Sequence, residues 1–194
     1  MWLLWASIPD DPGDATEVIR NSRRISLALN VLPFAGIAFL WFVGVLRDRL
    51  GDREDRFFAT VFLGSGLLFV AMLFVGAAIA GGLVRMLNEA PGPLVQSRVY
   101  ALGRLQIRLT IQVYALKMAA VFMMSTATVC LRTRIVPRWM AVVGYALALL
   151  LILQSSRATH WIPLVFPLWV LLVSSFILVE NLRDPPPDAR HPDA

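Results

Sequence analysis

One lysine is the residue in this sequence best placed to do chemistry. Lys117 lies inside an apolar run spanning 109–131, and no other charged residue sits as deep in any apolar run of the chain. At about 100° per residue, Gln106, Thr110, Tyr114 and Thr128 all fall within about 60° of it on a helical wheel. Val121 and Met124 interrupt that stripe, and Ala115 and Ala119 occupy the opposite side. A buried lysine of this kind needs an anionic ligand, a cage of backbone and water, or loss of its proton. A charge at mid-bilayer costs ~2.5–3.5 kcal/mol on insertion scales, so Lys117 is expected to face a bundle interior or a wet cavity. The competing expectation is snorkelling. Arg108 stands nine residues earlier, ~13.5 Å along a helix, and side chains lean toward the helix amino terminus. The candidate ligand-binding set is Lys117, Tyr114, Thr110, Gln106 and Thr128, joined by Asn30 from an earlier run. The bland role for Asn30 is a hydrogen bond between helices.

Little else points to catalysis. The sequence has no carboxylate pair, nucleophile elbow, glycine-rich phosphate loop or metal-ligand spacing. Glu180 is the nearest acid in kind to a partner for Lys117, but it stands near the end of the last apolar run. A Schiff-base lysine is chemically conceivable, yet the seven spans and acidic counter-ion of a retinal protein are missing. Cys130 is the only cysteine, which excludes an intrachain disulfide, and His160 and His191 fall in a short loop and in the tail. No cofactor or metal is expected, and an enzyme is disfavoured. The basic residues are 17 arginines and one lysine, a bias typical of GC-rich bacterial genomes, for a net charge of +5. The arginines gather at the ends of apolar runs, where cytoplasmic loops and anionic headgroups favour them. That placement argues against nucleic-acid binding.

The elements that must carry these residues are five apolar runs, at 25–46, 57–84, 109–131, 135–153 and 161–182. A hydrocarbon core of ~30 Å takes about 20 helical residues. The sequence therefore predicts an all-α integral membrane bundle of five transmembrane helices, occupying 25–182 as one domain. Residues 1–24 form an amino-terminal tail, in which Trp2 and Trp5 suggest an interfacial foot over Trp2–Ile8 and Asp14 a helix cap. Residues 183–194 are proline-rich, polar and expected to be disordered. Pro33 predicts a mild kink in the first span. The second run has 28 residues, ~42 Å of helix, and must tilt, protrude or break at Gly64–Gly66 or Gly81–Gly82. Its overlapping pairs Gly76/Ala80, Ala77/Gly81 and Ala78/Gly82 predict the closest helix approach in the protein. The partner for that strip is either another span of the chain or a second copy, a homo-oligomer through Gly76, Ala80 and Gly81. Residues 94–108 read as a helix at the interface that bends at Gly103 into the third span. The dense loops 47–56 and 132–138 place those ends in the cytoplasm and the amino terminus outside.

Two stretches carry a resemblance. PFAGIAFLWFVGVLRDRLGDREDRFFATVFLGSGLLF, at 33–69, and LRTRIVPRWMAVVG, at 131–144, with the later FPLWVLLVSSFILVENLR, resemble small uncharacterised bacterial multi-pass membrane proteins from GC-rich genomes. The second stretch is also similar to membrane families of unknown function that enter a span through an R-x-x-x-P-R-W pattern. These patterns lie on loops and span borders and cover about half the chain. The resemblance implies architecture and location in a bacterial cytoplasmic membrane, and it assigns no site residues. Three functions compete. The first is a bundle that binds or passes a small or anionic ligand in a cavity lined by Lys117. The second is a structural or interaction subunit of a membrane assembly. The third is a lipid-modifying enzyme, which would need a second titratable group beside Lys117.

Overall fold

The computed structural model describes residues 15–50, 56–89, 98–133, 137–153 and 162–183. All of these except Pro137 are helical, and no strand occurs among them. α1 is Ala15–Leu50 and α2 is Arg56–Glu89. α3 is composite: Arg98–Arg108, a π-helical segment Leu109–Ala115, then Leu116–Thr133. α4 is Arg138–Leu153, and α5 is Val165–Arg183, entered through a 3₁₀ turn Ile162–Leu164. The expected foot at Trp2–Ile8, the Asp14 cap, the loop centre at 51–55, the connection at 154–160 and the tail beyond 183 lie outside the described residues.

Three helices are long and apolar enough to cross a membrane, at Arg23–Asp48, Ala59–Glu89 and Arg98–Arg132. α4 and α5 are apolar but shorter over their described residues. Large apolar side chains face outward on all five helices, among them Phe34, Trp41, Leu68, Leu102, Leu149 and Leu171. A water-soluble monomer rarely exposes contiguous apolar surface of this kind; a lipid-facing one must.

Two features differ from the sequence expectations. α2 does not break at either glycine pair; it runs unbroken through Arg56–Glu89, ~51 Å, longer than a hydrocarbon core of ~30 Å. The segment before the third span does not bend at Gly103. It packs Tyr100 and Ile107 against Leu83, Val84 and Leu87 of α2, and the irregularity comes later, as the π segment. Gly103 serves as a seat instead, with Leu83 Cδ1 3.3 Å from where its Cβ would stand.

α3 is the axis of the bundle. About 61% of its most apolar window is buried, against 22% for α1. Lipid tails are as apolar as leucine, so close packing and small residues must drive helix association here. The face of α3 that turns inward is accordingly Ala115, Ala119, Ala120, Phe122, Met123 and Thr126, each 1% exposed or less. Phe122 is the hub of an aromatic cluster. Its ring stacks on Phe62 at 4.8 Å and meets Phe39, Phe166 and Trp169 edge-on at 5.2, 6.1 and 6.5 Å. Such pairs add ~0.5–1.5 kcal/mol beyond area burial. Gly66 makes room for this ring, since a Cβ there would lie 3.2 Å from Phe122 Cδ2.

Candidate functional site

The side chains predicted to share one polar edge of α3 do not share one environment. Lys117 is exposed on the outside of the bundle, as is Tyr114 one turn before it. Gln106 is exposed too, whereas Thr110 is buried at 7%. Thr128 is half-buried and turned toward α4. The π segment explains part of this scatter. Each i→i+5 bond puts an extra residue into a turn, so the wheel slips by about one residue, roughly 100°, between the two ends of the segment. Thr110 thereby leaves the Lys117 face although four-residue arithmetic aligns them. The orientation of Lys117 follows from packing: the alanine side opposite it is the side that fits against α2 and α4. Lys117 therefore stands on the exposed side of α3, and among the described residues it has no hydrogen bond or ion pair.

The buried hydroxyls of Ser65, Ser125 and Thr126 are satisfied locally. Ser65 donates to the Val61 carbonyl at 2.6 Å, Ser125 to Phe122 at 2.9 Å and Thr126 to the same Phe122 carbonyl at 2.7 Å. Thr128 donates to the Met124 carbonyl at 2.8 Å, which leaves its oxygen to accept from Tyr145 Oη at 2.6 Å. That pair bonds α3 to α4. Nothing in the sequence singles out Tyr145, and only its position across a helix interface marks it. Trp169 Nε1 is the buried side-chain polar atom without a partner among the described residues. It abuts Gly144, where a Cβ would stand 3.2 Å from it. No three His, Cys, Asp or Glu side chains gather among the described residues.

Asn30, the remaining candidate, stands elsewhere. It lines a groove of about 480 Å³ between α1 and α2, together with Ser26, Leu29, Ala77, Ala78, Gly81, Val84, Arg85 and Asn88. The small-residue strip of α2 is divided between two environments. Gly76 and Ala80 are buried, with Ile111 Cγ1 2.8 Å from a Cβ built on Gly76. Ala78 and Gly82 face outward, and nothing lies within 4 Å of a Cβ on Gly82. Gly76 and Ala80 are thus packed within the chain. The chain matches no protein-family model, no curated protein and no solved structure.

Proposed function

We propose that this protein is a five-span subunit of a bacterial cytoplasmic-membrane assembly, and that the Lys117 face of α3 receives a partner helix bearing a carboxylate at matching depth. One observation carries the reading. Lys117 is exposed, lacks any partner among the described residues, and lies in the middle of the chain's central helix. Left against acyl chains, its charge costs ~2.5–3.5 kcal/mol. A carboxylate on a neighbouring helix would offset that penalty. A second copy would not, because two-fold pairing on this face sets lysine against lysine and the sequence places no acid at that depth. Tyr114, one turn away and 58% exposed, offers the partner a hydroxyl and a ring. The interior is packed with aromatic rings around Phe122, which supports assembly over passage of a solute between the helices. α4 and α5 are assigned as the fourth and fifth spans because Leu149, Leu150, Leu168 and Leu171 face outward on them. With dense arginine loops inside, the amino terminus lies outside.

The test uses two synthetic transmembrane peptides, a polyleucine helix and the same helix with one central glutamate. Pairing with the protein is read by energy transfer in nanodiscs. The glutamate peptide should pair about fivefold or more tightly than the plain one. Lys117→Leu should erase the difference and Lys117→Arg should keep it. Equal pairing of both peptides with the natural protein would overturn the reading, as would discrimination that survives Lys117→Leu.

A further inference from the structure

We infer that the groove between α1 and α2 is a binding site for one anionic phospholipid, with its phosphate at the arginine-bearing mouth and an acyl chain along the small-residue floor. This rests on a different face from Lys117 and stands apart from the assembly reading.

The two helices are successive and antiparallel, so the start of α1 lies beside the end of α2. Arg23, Ser26 and Asn30 recur at i, i+3 and i+7 and share one face of α1. Arg85 and Asn88 stand one turn apart on α2, and Ser26, Asn30, Arg85 and Asn88 all line the same groove. The polar groups are graded in depth. Arg23 and Asn88 lie nearest the helix ends, Ser26 and Arg85 follow, and Asn30 is deepest, ~10.5 Å below Arg23 along the axis. Ala77, Ala78 and Gly81 supply the floor beyond them. This is the polarity profile of a phospholipid, charged outside, ester-like below, apolar at depth.

The polar groups are also available. Ser26, Asn30 and Asn88 make no side-chain hydrogen bond among the described residues. A serine in a membrane helix ordinarily bonds the carbonyl a turn earlier, as Ser65 does in α2. Arg85 Nε approaches Glu89 Oε1 at 3.4 Å on an open surface, with side chains 84% and 69% exposed. That long contact leaves both terminal amino groups of the guanidinium to grip two phosphate oxygens. Pro33 in turn has no N–H to offer the carbonyl of Leu29, another groove residue. A volume of about 480 Å³ lies within the ~300–1,000 Å³ of small-molecule sites. The occupant's charge follows from Arg85, the one charged side chain among the described residues lining the groove, and from Arg23, which stands one turn before Ser26 on the same face of α1.

Native mass spectrometry of the full chain released from detergent tests this, with phosphatidylglycerol and phosphatidylcholine of identical acyl chains as probes. One phosphatidylglycerol should be retained in preference to phosphatidylcholine. Arg85→Gln should weaken that binding about fivefold, and Arg23→Gln with Arg85→Gln roughly thirtyfold, from ~1 kcal/mol per arginine near a membrane surface. Arg85→Lys should restore most of it. Phosphatidylcholine shares the phosphate but has no net charge, so its binding should weaken less than that of phosphatidylglycerol in the arginine variants, and an unchanged melting temperature reports that the fold is intact. Ala78→Leu, which fills the floor, should weaken binding while leaving both arginines in place. Equal retention of the two lipids would overturn the proposal. So would phosphatidylglycerol binding unaffected by the double substitution, or competition by inorganic phosphate alone as strong as by the lipid, since the chain would then contribute nothing. None of these outcomes depends on Lys117, so the two proposals fail separately.

Discussion

Replacing Gly76 and Gly82 each by alanine separates packing from helix propensity. Both glycines lie within α2, about a turn and a half apart, and in each case alanine relieves a glycine penalty of about 0.5–1 kcal/mol. That gain cancels in the comparison. The surroundings differ. A Cβ on Gly82 meets nothing within 4 Å, whereas one on Gly76 would stand 2.8 Å from Ile111 Cγ1 and 3.1 Å from its Cδ1. Carbon atoms pack best at ~3.5–4.0 Å, so Ile111 would have to retreat by ~0.7–1 Å. It cannot do so freely, because Ile111 is 3% exposed and sits in the π segment, wedged between α2 and the rest of α3. Overpacking of this order costs ~1–3 kcal/mol. On the scale of ~2–4 °C per kcal/mol for chains of this size, Gly76→Ala should melt roughly 2–12 °C below Gly82→Ala in detergent. Apparent melting followed by tryptophan fluorescence at one scan rate gives the comparison. Ile111→Ala removes the clashing atom. A cycle of Gly76→Ala with Ile111→Ala should therefore show a favourable coupling of ~1–2 kcal/mol. If Gly76→Ala is as stable as Gly82→Ala, or the cycle shows no coupling, the contact between α2 and the π segment is not what holds these helices together.

Further expectations can be checked on the same protein. Phe122→Ala removes the ring shared by Phe39, Phe62, Phe166 and Trp169, and should destabilise by ~3–5 kcal/mol, with Phe122→Leu losing less, both read as apparent melting shifts. Tyr145→Phe should lose ~0.6–1.7 kcal/mol by breaking the bond to Thr128, and the loss should vanish when Thr128 is already valine. In a background lacking Cys130, a cysteine at Asp48 should react with an impermeant maleimide only after cells are opened. One at Glu89 should react in intact spheroplasts. The opposite pattern would invert the orientation, and equal labelling at both sites would remove α2 as a span.

Much of the architecture was legible in the residues. Apolar runs long enough to cross a bilayer and nearly free of charge dictate helices, because a chain in lipid must satisfy its own backbone hydrogen bonds. The runs at 25–46, 57–84 and 109–131 accordingly fall within α1, α2 and α3. At the entry to α4 the Pro137 carbonyl accepts from Met140 N–H at 3.0 Å. The small-residue strip of α2 was visible as a packing surface, but not its division into a buried Gly76/Ala80 side and an outward Ala78/Gly82 side. A wheel drawn at a constant angle could not foresee the π segment, since i→i+5 bonding leaves no mark in composition, and so it aligned Thr110 with Lys117 across a change of register.

The deepest ambiguity was the direction of α3. The residues fix that Lys117 and Ala119 lie on opposite sides, and stop there. A lone charge suggests the polar side turns inward, while close packing suggests the alanine side does. The tertiary structure decides for the alanines. Gly66 and Gly76 of α2 offer hollows that the Phe122 ring and Ile111 fill, whereas among the described residues no acid or amide on a neighbouring helix pairs with the ammonium of Lys117. Packing between helices depends on the shapes of both partners at once, and a single apolar run carries only one of them.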